Sequence, residues 1–187
     1  MDCCLLESRL IEHCAPTLAG MKAAGLFNYF YCSKQMVLDE LGFLNAKLNP
    51  RGVYVETLLW RDNSVLIYVY RLKHLQNELH RPGTMKLLKQ YGYTCCEVDN
   101  CIRHLKARLY HYECFPHEIG VFLGYPLEDV KGFIDNKGKN CKSCGWWKVY
   151  CNEREKQKLF DKLNRCTRVY MQVFDEGRQL TQMTVPT

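Results

Sequence analysis

The sequence predicts an α+β fold. It reads as one domain over residues 1–187, mostly helical, with a small sheet that includes a β-hairpin and a helical hairpin resembling a helix-turn-helix. Three observations predict it. Apolar residues recur at helical spacing near both ends of the chain. Two β-rich runs, Val53–Trp60 and Ser64–Arg71, flank Arg61-Asp62-Asn63, which is a hairpin pattern. Helical and extended segments do not alternate as a parallel βαβ sheet requires. A chain of 187 residues, 47% hydrophobic, suffices for one core, and no Pro/Ser/Gly-rich linker or internal repeat divides it.

The elements follow in order. Leu6, Leu10, Ile11 and Cys14 place a first helix near 3–14, and Pro16 ends or redirects it. Residues 20–31 are compatible with a helix or a short strand. Ser33 is placed to cap a second helix whose apolar stripe is Val37, Leu41, Leu44 and Leu48, with Asn49-Pro50-Arg51-Gly52 closing it. After the hairpin come short helices near 72–80 and 84–91, separated by Arg81-Pro82-Gly83. Asp99 reads as the cap of a further helix carrying Ile102, Leu105, Leu109 and Tyr112. Residues 146–151 form a short strand. Residues 153–176 form a long last helix with Phe160, Leu163, Tyr170 and Phe174 inward, stopped by Gly177. The last ten residues are expected to fray or pair at an edge.

Composition narrows the setting. The N-terminus lacks a cationic start, so it does not read as a secretory signal. The longest strongly apolar run, 65–70, falls far short of the ~20 residues that a membrane span needs. Twelve cysteines without an export signal predict reduced thiols and a cytoplasmic protein with no membrane association. The net charge of +6 is uneven: residues 131–168 hold eleven Lys/Arg and four Asp/Glu, so a basic C-terminal third can meet an acidic partner.

Several segments carry chemistry. His13-Cys14-Ala15-Pro16-Thr17-Leu18 sets a His beside a Cys at a bend. If Pro16 opens a new helix, Cys14 stands just ahead of a positive dipole end that favours the thiolate. Cys14-Ala15-Pro16-Thr17 also bears a four-residue likeness to the nucleophile loop of papain-like hydrolases. Cys114-Phe115-Pro116-His117-Glu118-Ile119-Gly120 supplies a base or a metal ligand, with Pro116 expected at a helix start. Candidate catalytic residues are thus Cys14, His117 and Glu118, and candidate metal ligands are His13, Cys14 and His117. Ile119, Gly120, Leu123, Gly124, Tyr125, Val130 and Phe133 are spaced as in a helix-turn-helix. The second helix would present Leu127, Glu128, Asp129 and Lys131, and its acids oppose a phosphate backbone, so nucleic-acid binding is not expected. Cys141-Lys142-Ser143-Cys144 lacks the second CxxC of a zinc site. Cys151 and Cys166 are the remaining ligands on offer. Trp146, Trp147, Lys148 and Tyr150 suit stacking on bases or on a flat cofactor. His13, Tyr125 and Trp147 are the candidate cofactor contacts.

The segments HCAPTLAGMKAAGLFNY, VLIYVYR, FPHEIGVFLGYPLEDVKGFI and GWWKVY resemble an uncharacterised bacterial family, domain of unknown function 3793, met mostly in anaerobic Firmicutes. The resemblance spans nearly the whole chain. It implies a cytoplasmic bacterial protein whose relatives lie near iron-uptake and flavodoxin genes, hence iron or redox physiology. It assigns no activity and no catalytic residue. Three functions follow as expectations. The first is a redox- or iron-linked protein holding iron, zinc or haem. The second is a thiol hydrolase or transferase with Cys14 as nucleophile and His117 as base. The third is a non-enzymatic module that binds an acidic protein such as a flavodoxin.

Overall fold

A computed structural model describes residues 5–111 and 115–186. The chain is α+β and mostly helical. It divides into two compact units, the first running to His74 and resuming at Cys166, the second spanning Leu75–Arg165.

In the first unit, helix α1 (Leu5–Leu18) precedes strand β1 (Ala24–Phe30). Helix α2 (Lys34–Leu48) starts where the sequence predicts: Ser33 is its N-cap and accepts a 3.5 Å hydrogen bond from the Met36 N–H. Its buried residues are Val37, Leu41, Leu44 and Leu48, the predicted stripe. A 3-10 turn over Asn49–Arg51 leads into β2 (Val53–Trp60) and β3 (Ser64–Arg71). The sheet order is β1-β3-β2, antiparallel throughout, with Phe27 opposite Ile67 and Val55 opposite Val69. Within the ambiguous segment 20–31, residues 24–30 are therefore an edge strand. β3 is buried along its whole length, as a central strand requires. One sheet face, with Phe27, Val55, Ile67 and Val69, packs with α1, α2 and the C-terminal residues Leu180 and Met183 into one core.

Three expectations are corrected here. Pro16 does not end α1, which runs on to Leu18. The ring removes only one N–H, and the carbonyls of Ala15, Pro16 and Thr17 still accept from Ala19, Met21 and Gly20. Ala15 and Leu18 are fully buried, so packing offsets the lost bond. Cys14 consequently sits inside a helix rather than ahead of one. The tail is not frayed: Leu180–Met183 forms helix α9 with both end residues buried. It is held because Val185 N–H donates to Leu18 (3.0 Å) and Arg51 donates to the Thr184 carbonyl (2.8 Å).

Helix α3 (Leu72–His80) leaves the sheet, and the second unit continues with α4 (Thr84–Lys89), α5 (Val98–His111), α6 (Ile119–Phe122) and α7 (Leu127–Asp135). Asp99 lies in the first turn of α5 rather than at its cap, still favourable to the dipole. Tyr112 and Cys114 lie outside the described residues. Pro116 precedes a turn, and α6 opens three residues later than expected. α6 and α7 form the predicted helical hairpin about Gly124, whose φ of +69° is a left-handed conformation that glycine adopts without cost. The strand expected over 146–151 shortens to β5 (Lys148–Val149), paired with β4 (Ser143–Cys144), the second half of the CxxC. Helix α8 (Glu153–Asp175) follows, and it ends two residues before Gly177.

Arg71, at the end of β3, is 1% exposed. Its guanidinium donates to the carbonyls of Thr17 and Leu18 at the end of α1, and to Val185 in the tail (2.7 Å). Arg71→Met should lower stability by about 3 kcal/mol in urea unfolding, since it removes three hydrogen bonds from a charged donor to buried carbonyls. Arg71→Lys should recover little of that, because one ammonium does not reproduce a planar fork. A lysine variant as stable as the parent chain would refute this role.

Candidate functional site

The second unit holds an aromatic cavity of about 310 Å³. Its walls come from the helical hairpin and the β4–β5 ribbon. α6 and the turn after it supply Ile119, Gly120, Leu123 and Tyr125. α7 supplies Val130 and Phe133, and the ribbon supplies Trp146, Trp147 and Lys148, with His117 and Phe115 at the approach. Tyr125 stacks on Trp147 with centroids 4.9 Å apart and planes 30° apart. Trp147 meets Phe160 of α8 edge-on at 4.6 Å. His117 sets its ring edge-on to Phe133 at 5.0 Å, and Lys148 Nζ lies 5.8 Å from the Phe133 centroid. These are ordinary aromatic pair geometries, and they leave ring faces lining a hollow. Burial pushes the Tyr125 phenol up to about 12, so it stays neutral.

Asp129 fixes the ribbon to the hairpin. It is 2% exposed. One carboxylate oxygen accepts from Trp147 Nε1 (2.8 Å). The other accepts from the backbone N–H groups of Tyr150 (2.8 Å) and Cys151 (3.3 Å). Lys156 lies 3.9 Å away and completes the charge balance. Asp129 is therefore turned inward, contrary to the outward position expected of it in a helix-turn-helix. Sequence reasoning missed this role. The available signal was a Trp in an apolar run, whose N–H must find an acceptor when buried.

The predicted site residues separate into three environments. His117, Tyr125 and Trp147 converge on the aromatic cavity, with His117 exposed at its approach. Glu118 is fully buried and turns toward α5, where it pairs with Arg108 and accepts from the Tyr93 hydroxyl (3.4 Å). Arg108 was not anticipated; it pairs with Glu118 inside the fold. Burial and the Glu118 charge push the Tyr93 phenol up. His13 and Cys14 belong to the first unit. Neighbouring helix positions do not face each other: His13 stacks on Phe27 at 5.1 Å while Cys14 is buried in the core. Burial chiefly lowers the His13 pKa, with Glu12 opposing. Among the described residues, no group of three or more His, Cys, Asp or Glu side chains is arranged to hold a metal ion.

The surroundings of Cys14 favour the neutral thiol. A Cβ at Gly25 would lie 2.5 Å from Cys14 Sγ, so only glycine on β1 admits the sulfur. Burial pushes the thiol up to about 12, with Lys22 opposing. Lys22, itself buried, is lowered to about 8 by desolvation and donates to the Ala24 carbonyl. A nucleophilic cysteine needs the opposite shift. The two groups act oppositely on stability. Lys22 binds its proton less tightly folded than unfolded, so its penalty is full below pH 8 and fades as pH rises. Cys14 keeps its proton in the fold, so its contribution is full below the ordinary thiol range near 9.0 and is lost above it. Between about pH 8 and 9 the Lys22 gain outweighs the thiol losses, and stability should rise by less than ~1 kcal/mol. Urea midpoints across that range check this, and Lys22→Met should remove the rise. An unchanged rise in the variant would refute the assignment.

No curated protein and no solved structure matches the chain. Among the described residues, no helix is long and apolar enough to cross a membrane. A family model described as a protein of unknown function, DUF3793, matches residues 10–184, and the chain belongs to that family.

Proposed function

We propose that this protein binds a small, flat, largely apolar molecule in the aromatic cavity of its second unit. The observation that carries the reading is the convergence of Tyr125, Phe133, Trp146, Trp147 and His117 around one hollow of about 310 Å³. That volume and lining suit a small ligand held by stacking, with few polar contacts. His117 and Lys148 offer those contacts at the approach and would suit an anionic or carbonyl group on the ligand. A heteroaromatic redox cofactor belongs to this chemical class, and the proposed iron or redox role attaches to the protein at this point. The thiol-enzyme reading gains less support, because the Cys14 thiol is pushed away from ionisation.

A second reading has its own observation. Lys131, Lys137, Lys139 and Lys142 are exposed over 131–142, with Asp135 the single acid among them. This favours docking of an acidic protein of the flavodoxin kind. Such binding should weaken steeply between low and physiological salt, and salt-independent affinity would remove the reading.

The ligand reading is tested on protein purified without oxygen. Its absorption spectrum and extractable small molecules are recorded, and tryptophan emission is titrated with indole, flavin mononucleotide and protohaem. Quenching by at least one probe is expected. Phe133→Ala and His117→Ala should each weaken that binding roughly 3- to 10-fold, the loss of one aromatic contact. No chromophore on the purified protein and no quenching by any probe would overturn the proposal.

A further inference from the structure

Three thiols gather in the second unit, away from the aromatic cavity, where α5 begins. Cys95 and Cys96 lie in the loop ahead of the helix, and Cys101 lies in its first turn. The Cys101 thiol donates to the Cys95 carbonyl at 3.1 Å, which brings its sulfur against the Cys95 residue. Asn100 Nδ2 donates to Cys95 Sγ at 3.5 Å, and Arg103 donates to Asn100 Oδ1 at 3.2 Å. A guanidinium thus orients the amide that orients the sulfur. Cys95, Asn100, Cys101, Arg103 and His104 line an open cavity of about 440 Å³, large enough to admit a small molecule. Cys95 is half-buried and Cys101 is 2% exposed, so an incoming reagent meets Cys95 first.

We propose that Cys95 and Cys101 form a dithiol site that exchanges with small-molecule disulfides and closes a reversible protein disulfide across the start of α5. Cys95 Sγ, as thiolate, attacks one sulfur of the incoming disulfide. The Cys95–sulfur bond forms, the reagent's S–S bond breaks, and the departing thiolate takes the proton that Cys95 released. Cys101 then loses its proton and attacks the Cys95 sulfur. The protein S–S bond forms and the second small thiol leaves with that proton. Two protein thiols are oxidised, and one disulfide is reduced to two thiols. The order of attack follows from the surroundings. Burial pushes the Cys101 thiol up to about 12, with Cys95 and Cys96 adding to the shift, so Cys101 acts second. A thiolate so costly to form is also a poor leaving group, so the closed bond reopens slowly.

The test uses the reduced, folded full chain and glutathione disulfide. After incubation the protein is acid-quenched, alkylated and digested with trypsin, and the single peptide 90–103 carries all three thiols. Expected is a peptide with one alkyl group, on Cys96, lighter by two hydrogens, and restored to three alkylatable thiols by dithiothreitol. Cys96→Ser should keep the linkage, and Cys95→Ser should lose it. A bond that joins Cys96 to either partner would overturn the proposal. So would a stable glutathione adduct on the parent chain. The proposal also fails if the folded peptide keeps three free thiols where the urea-unfolded chain is oxidised.

Discussion

The first unit depends on a buried guanidinium. An α-helix ends with carbonyls that lack an internal partner, and a buried helix end must find one elsewhere. α1 ends in the core, where Thr17 and Leu18 accept from the N–H groups of Gly20 and Val185, and Arg71 adds charged donors: its fork reaches Thr17 and Leu18, and a further bond reaches Val185. The arginine remains charged, so taking it out of water costs several kcal/mol before those bonds repay it. The result couples three stretches of chain that are far apart in sequence. The Arg71 N–H bonds the Ala23 carbonyl (2.9 Å) just ahead of β1, while its side chain reaches the end of α1 and the tail. Position 71 thus joins the packing of Ala15 and Leu18 and the Arg51–Thr184 bond in holding α1 past Pro16 and the tail in place.

Asp129 plays the matching part in the second unit with the opposite charge. Its carboxylate gathers the Trp147 indole and two backbone N–H groups, so a two-residue ribbon with little hydrogen bonding of its own is held against α7. A ribbon that short has no independent stability. The orientation of Trp147, and with it the stacked wall of the aromatic cavity, follows from this carboxylate and from the edge-on contact with Phe160. Hydrogen-bonded charge supplies direction here and aromatic packing supplies area. The cavity needs both, because rings packed without a fixed orientation would fill the hollow.

What was legible in the sequence follows the range of the interactions involved. α2 was legible because a serine cap and a 3.6-residue stripe are both local. The β2–β3 hairpin and the α6–α7 hairpin were legible because runs and turns sit next to each other. α1 was misjudged at Pro16, since its continuation depends on packing of Ala15 and Leu18 and on an arginine 54 residues downstream. The tail was misjudged for the same reason. His117, Tyr125 and Trp147 were singled out separately, on a Pro-His-Glu motif, a helical hairpin and an aromatic strand. Their meeting in one cavity was invisible, because no periodicity encodes contacts across a turn and a ribbon. Glu118 looked like a base beside His117, yet the backbone turn sends the two side chains to opposite environments.

The cysteines show how one residue type divides by surroundings rather than by sequence neighbours. Cys14 was the most suggestive on paper, with a histidine before it and a proline two residues after. In the fold it is a small buried hydrophobe in van der Waals contact with Gly25, and its nearest cation is itself desolvated. Cys95 had no motif to recommend it. It has a cavity, an amide donor on its sulfur and a second thiol against its own backbone. Thiol chemistry requires access, a partner and a way to shed a proton, and these are properties of packing. A histidine adjacent in sequence supplies none of them when the helix turns it to another face. The chemistry proposed at the start of α5 and the ligand proposed for the aromatic cavity therefore rest on different physical grounds, and either can stand without the other.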